Sequence, residues 1–263
     1  ELLAVHAKDA VASLDSSVTL SASASAASNV GTYAVTTSAA SDANYTIAFE
    51  PGTLTILHAP LTVRAENQTK VYGAALPALT ASYNGFVNGD TAASLDSPAL
   101  LATTAVASAV AGTYPITVTG AADANYAIVF EPGTLTVNRA LLTIRAEDKS
   151  KIYGAALPEL TANYSGFVNA DTVAGLDSPV ILGTAAKVAS DAGAYAITPS
   201  GATDANYTIA FEPGTLTVTK AALAIRAEDK SKIYGAVLPS LTVRYTGFVN
   251  GDTAASLDHA GLV

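Results

Sequence analysis

A chain of 263 residues with formal net charge −9 and only 13% charged residues, against the roughly 25% usual in globular proteins, holds no Cys, Met or Trp and just three His. The missing cysteines exclude disulfide scaffolds, thiolate metal sites and cysteine nucleophiles. The acidic balance argues against a nucleic-acid partner and against anionic membrane surfaces. No apolar run reaches the roughly 18 residues of a membrane helix, so no membrane insertion is expected.

Repetition organises everything else. Tyr72, Tyr153 and Tyr234 each open a YG pair at an interval of 81 residues, and Asn44-Tyr45, the run Phe49-Glu50-Pro51-Gly52 and Asp15 recur with the same phase. The twelve tyrosines fall on four repeat positions and the six phenylalanines on two. Such a period is too long for a two-helix solenoid unit and suits a small β domain. Four segments follow: residues 1–59, a partial repeat lacking its first strands; 60–140 and 141–221, complete repeats; and 222–263, a partial repeat lacking its C-terminal strands.

One repeat reads as follows. Leu61, Val63 and Ala65 alternate with Thr62 and Arg64, the period of two of a half-buried strand. A bend through Leu76-Pro77 precedes a second strand over 79–83. The segment from Gly85 to Thr91 is a turn, and Asp90 or Thr91 caps one short helical turn through Ala92, Ala93 and Leu95. Residues 100–106 form a weaker strand, and Tyr114, Ile116 and Val118 mark a clear one. Strands over 126–130 and 134–137 are joined through Glu131-Pro132-Gly133, either a type II turn or a looser corner. Six or seven short strands rich in Thr, Val and Tyr predict an all-β fold of tandem Ig-like β-sandwich modules in an elongated rod. The alternative is a β-grasp-like module with one short helix. Asp191-Ala192-Gly193-Ala194-Tyr195 matches the D-x-G-x-Y pattern of an immunoglobulin tyrosine corner, with Asn29 to Tyr33 a looser copy.

The ordered blocks L-T-V/I-R-A-E, K-x-Y-G-A, L-P-x-L-T, G-F-V-N-x-D-T, A-G-x-Y-x-I-T and N-Y-x-I-x-F-E-P-G-T-L-T-V resemble the MBG repeats of the YGX type. The resemblance covers 61–221 fully and both flanks partly. It implies tandem extracellular β modules of large bacterial surface or secreted proteins, often adhesins. It implies no catalysis and supplies no ligand residues.

Candidate chemistry is sparse. His6, His58 and His259 occupy unrelated repeat phases, so no base recurs with the repeat and an enzyme is not expected. The recurring acids are the one metal candidate, a weak calcium site drawn from Glu66, Asp123, Asn125, Glu147, Asp148, Asp204, Glu228 and Asp229. The commoner use of such residues is Asx turns and strand-end caps. Lys70, Lys151 and Lys232, in a module bearing Asn and Glu, hold the ingredients of an isopeptide crosslink, although solvated strand-end lysines are commoner. Tyr126 and Tyr114 read as core, whereas Tyr72 and Tyr83 stay open between core and exposed glycan contacts.

No Gly- or Ser-rich linker separates the repeats, and a stiff array is expected. Glu1 falls mid-phase and the last segment stops short, so each flank carries what the other lacks. The chain reads either as a window on a longer repeat protein or as a subunit whose tail completes the next chain's head by strand addition. The leading functional expectation is the stalk or fibre of a bacterial extracellular or cell-surface protein, partnered by neighbouring repeats or identical chains. The alternative is an adhesive module recognising a glycan or a host or partner protein.

Overall fold

The computed structural model describes residues 14–257. Contacts divide them into two compact units. One holds residues 14–70, 76–106 and 113–136, and the other 71–75, 107–112 and 137–257.

In the first unit, strands β1 (Thr19–Ala22), β2 (Gly31–Ser38) and β3 (Gly52–Ile56) form an antiparallel sheet in that order. The second repeat supplies β4 (Ala59–Ala65), β5 (Gln68–Val71), β6 (Ala81–Asn84), β7 (Leu100–Thr103), β8 (Gly112–Thr119), β9 (Tyr126–Glu131) and β10 (Gly133–Asn138). Its two sheets have the orders β6-β4-β9 and β5-β10-β8-β7.

The third repeat lies wholly in the second unit. Its strands are β11 (Ala140–Ala146), β12 (Lys149–Ile152), β13 (Ala162–Ser165), β14 (Ile181–Thr184), β15 (Gly193–Ser200), β16 (Tyr207–Glu212) and β17 (Gly214–Thr219). They form the sheets β13-β11-β16 and β12-β17-β15-β14, and β18 (Ala224–Ala227) and β19 (Val243–Thr246) of the fourth repeat pair antiparallel. Period-two burial along β11 and β17 puts Leu142, Ile144, Leu216 and Val218 inside and Thr and Arg outside. Ala146, Ala186, Ile197 and Leu216 close the core between the sheets, with Leu160, Leu182 and Tyr195 against it. The repeats are thus all-β and of sandwich type. A β-grasp module would need a helix able to cover a sheet. The described residues offer only single 3-10 turns at Ala92–Ser94, Val173–Gly175 and Ala254–Ser256.

The opening and closing strands of a repeat run side by side. β11 pairs parallel with β16, from Ala140↔Tyr207 to Arg145↔Glu212, and β12 pairs parallel with β17, from Lys149↔Leu216 to Ile152↔Thr219. Both segments, β11–β12 and β16–β17, therefore pass from one sheet to the other at the same level. Of the two readings of the Glu-Pro-Gly link, the structure takes the corner, since β9 and β10 lie in different sheets. Glycine is needed there because a Cβ on Gly214 would stand 2.5 Å from the carbonyl oxygen of Ala146. The strand β5 is absent from the sequence reading, because its inward residue is Lys70 and a lysine breaks the apolar alternation. The expected second strand starts later, at Ala81, and the weaker one ends earlier, at Thr103.

Candidate functional site: the tyrosine joint

The YG pair closes a joint to the next repeat. In the second unit, the Tyr72 hydroxyl donates to Asp171 Oδ2 at 3.0 Å, and the Tyr207 hydroxyl donates to the same oxygen at 2.7 Å. The two rings meet edge to face with centroids 5.6 Å apart. Phe167 stands edge-on to Tyr207 at 5.6 Å and stacks on Tyr164 at 5.9 Å. Tyr72 and Tyr207 are both buried.

A tight turn presents this acid. Asp171 N–H donates to the Val168 carbonyl at 2.9 Å, and Asn169 and Ala170 between them have φ of 54° and 64°, the double left-handed signature of a type I′ turn. Val168 N–H donates to the Tyr207 hydroxyl at 2.9 Å, which fixes the turn to β16. Val168 then seats on Gly73, where an added Cβ would lie 2.5 Å from Val168 Cγ2. A second tie runs from Ala111 N–H to Asn206 Oδ1 at 2.9 Å.

The same parts recur. Tyr153 donates to Asp252 Oδ2 at 3.0 Å, and a Cβ on Gly154 would lie 2.6 Å from Val249 Cγ2. In the first unit, Tyr126 donates to Asp90 Oδ2 at 2.7 Å, Val87 N–H donates to the Tyr126 hydroxyl at 3.0 Å, and Val30 N–H donates to Asn125 Oδ1 at 3.0 Å. Burial pushes the Tyr207 phenol up to about 12, with the neighbouring Asp171 charge adding to the rise. Tyr126 is raised in the same way, by burial first.

The open question over Tyr72 resolves toward burial in the joint. Asp90 and Asp171 serve as tyrosine acceptors, and Thr91 and Thr172 take the N-cap positions of the 3-10 turns. Their recurrence in phase with the YG pair is the sequence signal that could have linked them. The Tyr195 hydroxyl donates to the Asp191 carbonyl at 3.0 Å and that of Tyr33 to the Asn29 carbonyl at 2.7 Å, the expected tyrosine corners.

The calcium candidates are spread over turns and strand ends. Asp123 Oδ1 and Asp204 Oδ1 accept from the N–H groups of Asn125 and Asn206, each at 2.7 Å, as Asx turns. Asp148 Oδ1 accepts from Thr215 N–H at 2.7 Å across the strand corner, as Asn67 does from Thr134 N–H at 2.8 Å. Glu147 bonds Thr161 and pairs with Lys149 at 2.9 Å, contacts that hold its carboxyl below the usual range, hydroxyl first. Glu228 repeats this with Thr242 and Lys230, and its carboxyl is lowered for the same reasons. Asp229 lies 3.8 Å from Arg226 on the surface, and Glu66 N–H donates to the Thr80 carbonyl. Among the described residues no group of three or more His, Asp or Glu is placed to hold a metal ion.

Lys151 is buried rather than solvated. Its ammonium donates to the backbone carbonyls of Ala155, Lys187 and Val188 at 3.0, 2.9 and 2.7 Å, so each N–H has an acceptor and none of the three is an Asn side chain. His58 is exposed, while His6 and His259 lie outside the described residues. No helix among the described residues is long and apolar enough to cross a membrane.

No curated protein matches the chain. The model of the MBG domain (YGX type) matches it four times, over residues 4–55, 61–136, 142–217 and 223–262, with the YG pair, the Val-Asn-x-Asp turn and the strand corner in phase in the two longer matches. On these four matches the chain belongs to the MBG domain (YGX type) family, as a tandem array of its repeats.

Proposed function

We propose that this chain is a structural repeat region, a stalk or fibre of a bacterial secreted or cell-surface protein that gives reach and stiffness and catalyses nothing. Like chains assemble along it by strand complementation. One observation carries the reading: adjacent repeats are tied without a linker by a tyrosine, an aspartate and a glycine-seated valine, a joint that recurs at Tyr72, which is buried, and Tyr153, which is half-buried. A joint that opened would expose apolar rings to water and exchange each of these hydrogen bonds for bonds to water, a net loss of about 0.5–1.5 kcal/mol per bond.

The absence of native cysteine allows clean spin labelling at Ser200 and Arg244, in the third and fourth repeats. The stalk reading expects one narrow distance distribution that broadens in Tyr153→Ala. A distribution already broad in the parent chain overturns it. Saturable binding on a glycan array by a two-repeat fragment supports an adhesive module instead.

A further inference from the structure

In the third repeat the opening and closing strands form one continuous parallel ladder across both sheets. Its partners keep a single offset, since 207−140 at Ala140↔Tyr207 and 219−152 at Ile152↔Thr219 both give 67. The ladder begins where Ala140 N–H donates to the Asn206 carbonyl at 2.9 Å and ends where Tyr153 N–H donates to the Thr219 carbonyl at 2.8 Å. At the corner between the sheets a side chain carries it on, Asp148 Oδ1 accepting from Thr215 N–H at 2.7 Å. Leu142, Ile144, Leu216 and Val218 are buried along its inward side, where they keep water from taking over the bonds. The second repeat holds the same offset from Ala59↔Tyr126 to Arg64↔Glu131, with Asn67 in the place of Asp148.

Tension along the chain meets this ladder from opposite ends. Arg139 alone separates β10 from β11, so a pull transmitted by the second repeat enters at Ala140, and it leaves at Thr219. Because the two segments run parallel, these points lie at the two ends of the ladder and the pull acts along the strands. Every bond is then loaded at once. Had the opening and closing strands been antiparallel, both points would fall at one end and the bonds would part singly. Lys151 resists the same movement. Its ammonium ties β12 to the carbonyls of Lys187 and Val188, and it must leave these buried acceptors before β12 slides along β17.

We infer that the third repeat is a shear clamp, a device that carries pulling force along the chain while residues 154–205, which lie outside the load path, stay folded. This deepens the structural-repeat reading above and rests on it for its use, since a stalk comes under tension whenever what it holds is pulled. Stiffness and strength have different sources here. The tyrosine joints set how far neighbouring repeats bend, whereas the parallel ladder within a repeat sets the force at which it opens.

With no native cysteine, the 263-residue chain can be pulled at chosen points through DNA handles in an optical trap. One version carries Arg139→Cys and Lys220→Cys, exposed positions that load the ladder from its two ends. The other carries Leu141→Cys and Thr208→Cys, exposed partners facing each other across β11 and β16, which peel the ladder from one end. At one loading rate the first version should need a several-fold higher force, because forced unfolding reads the barrier along the pulled direction and not the equilibrium stability. It should give way in a single step, lengthening by up to about 3.3–3.6 Å for each residue between the cysteines. Unchanged circular dichroism confirms that both versions fold. Equal forces in the two geometries, or a gradual lengthening in the first, overturns the inference. The spin-label distances across the Tyr153 joint judge the structural-repeat reading separately, because a repeat holds under shear whether its joints are stiff or loose.

Discussion

Ala170 has φ 64° in a turn where its counterparts are Gly89 and Gly251. A left-handed Cβ costs roughly 1–2 kcal/mol, and the extra unfolded freedom of glycine takes back about 0.4–1. Ala170→Gly should therefore stabilise by about 0.5–1 kcal/mol, seen as a higher urea midpoint. Tyr207 gives a pH dependence. Its phenol is held protonated up to about 12, above its ordinary value of 10.0, so the unfolded chain loses this proton before the folded one does. The contribution to stability is complete below pH 10 and falls as pH rises from 10 toward 12. Urea midpoints of the parent should drop more steeply across that window than those of Tyr207→Phe. Residue positions of this kind were half legible: periodicity placed Tyr126 inside, but nothing local told Tyr72 apart from an exposed tyrosine. Lys151 misled outright, because only three carbonyls brought from Ala155, Lys187 and Val188 make its burial tolerable.

Strands were legible wherever Val, Ile, Leu or Tyr alternated with Thr, as in β10 and β17. They were missed where the inward residue was charged, as in β5 and β12. Which sheet each strand joins was not legible, since a period of two gives a face but not a partner. The corner at Gly214 shows the consequence. Gly214→Ala drives a Cβ into the Ala146 carbonyl and should cost about 3 kcal/mol. Gly183→Ala, with nothing within 4 Å of its Cβ and an alanine at its counterpart Ala102, should be near neutral. Equal losses from both, by thermal melts, would refute the account of the crossing strands.

At the scale of the whole chain, stability is a sum of repeat and nearest-neighbour terms, and the same strand differs between repeats according to its partner. Residues 149–152 sit in a sheet against β17, while 230–233 form no strand. Amide hydrogens over 230–233 should exchange at least about tenfold faster than those over 149–152 in dilute solution. Equal protection would mean that the fourth repeat is ordered some other way.

The sequence by itself determined the period, the all-β class, the family blocks and the absence of thiol chemistry, because repetition, side-chain alternation and composition are properties of the chain alone. The tertiary structure decided that the YG pairs at Tyr72 and Tyr153 form joints, that Asp171 serves two tyrosines and that Lys151 is a buried staple. Each of these depends on groups 36 to 99 residues apart meeting within hydrogen-bond distance, which strand pairing across two sheets brings about and local pattern does not record.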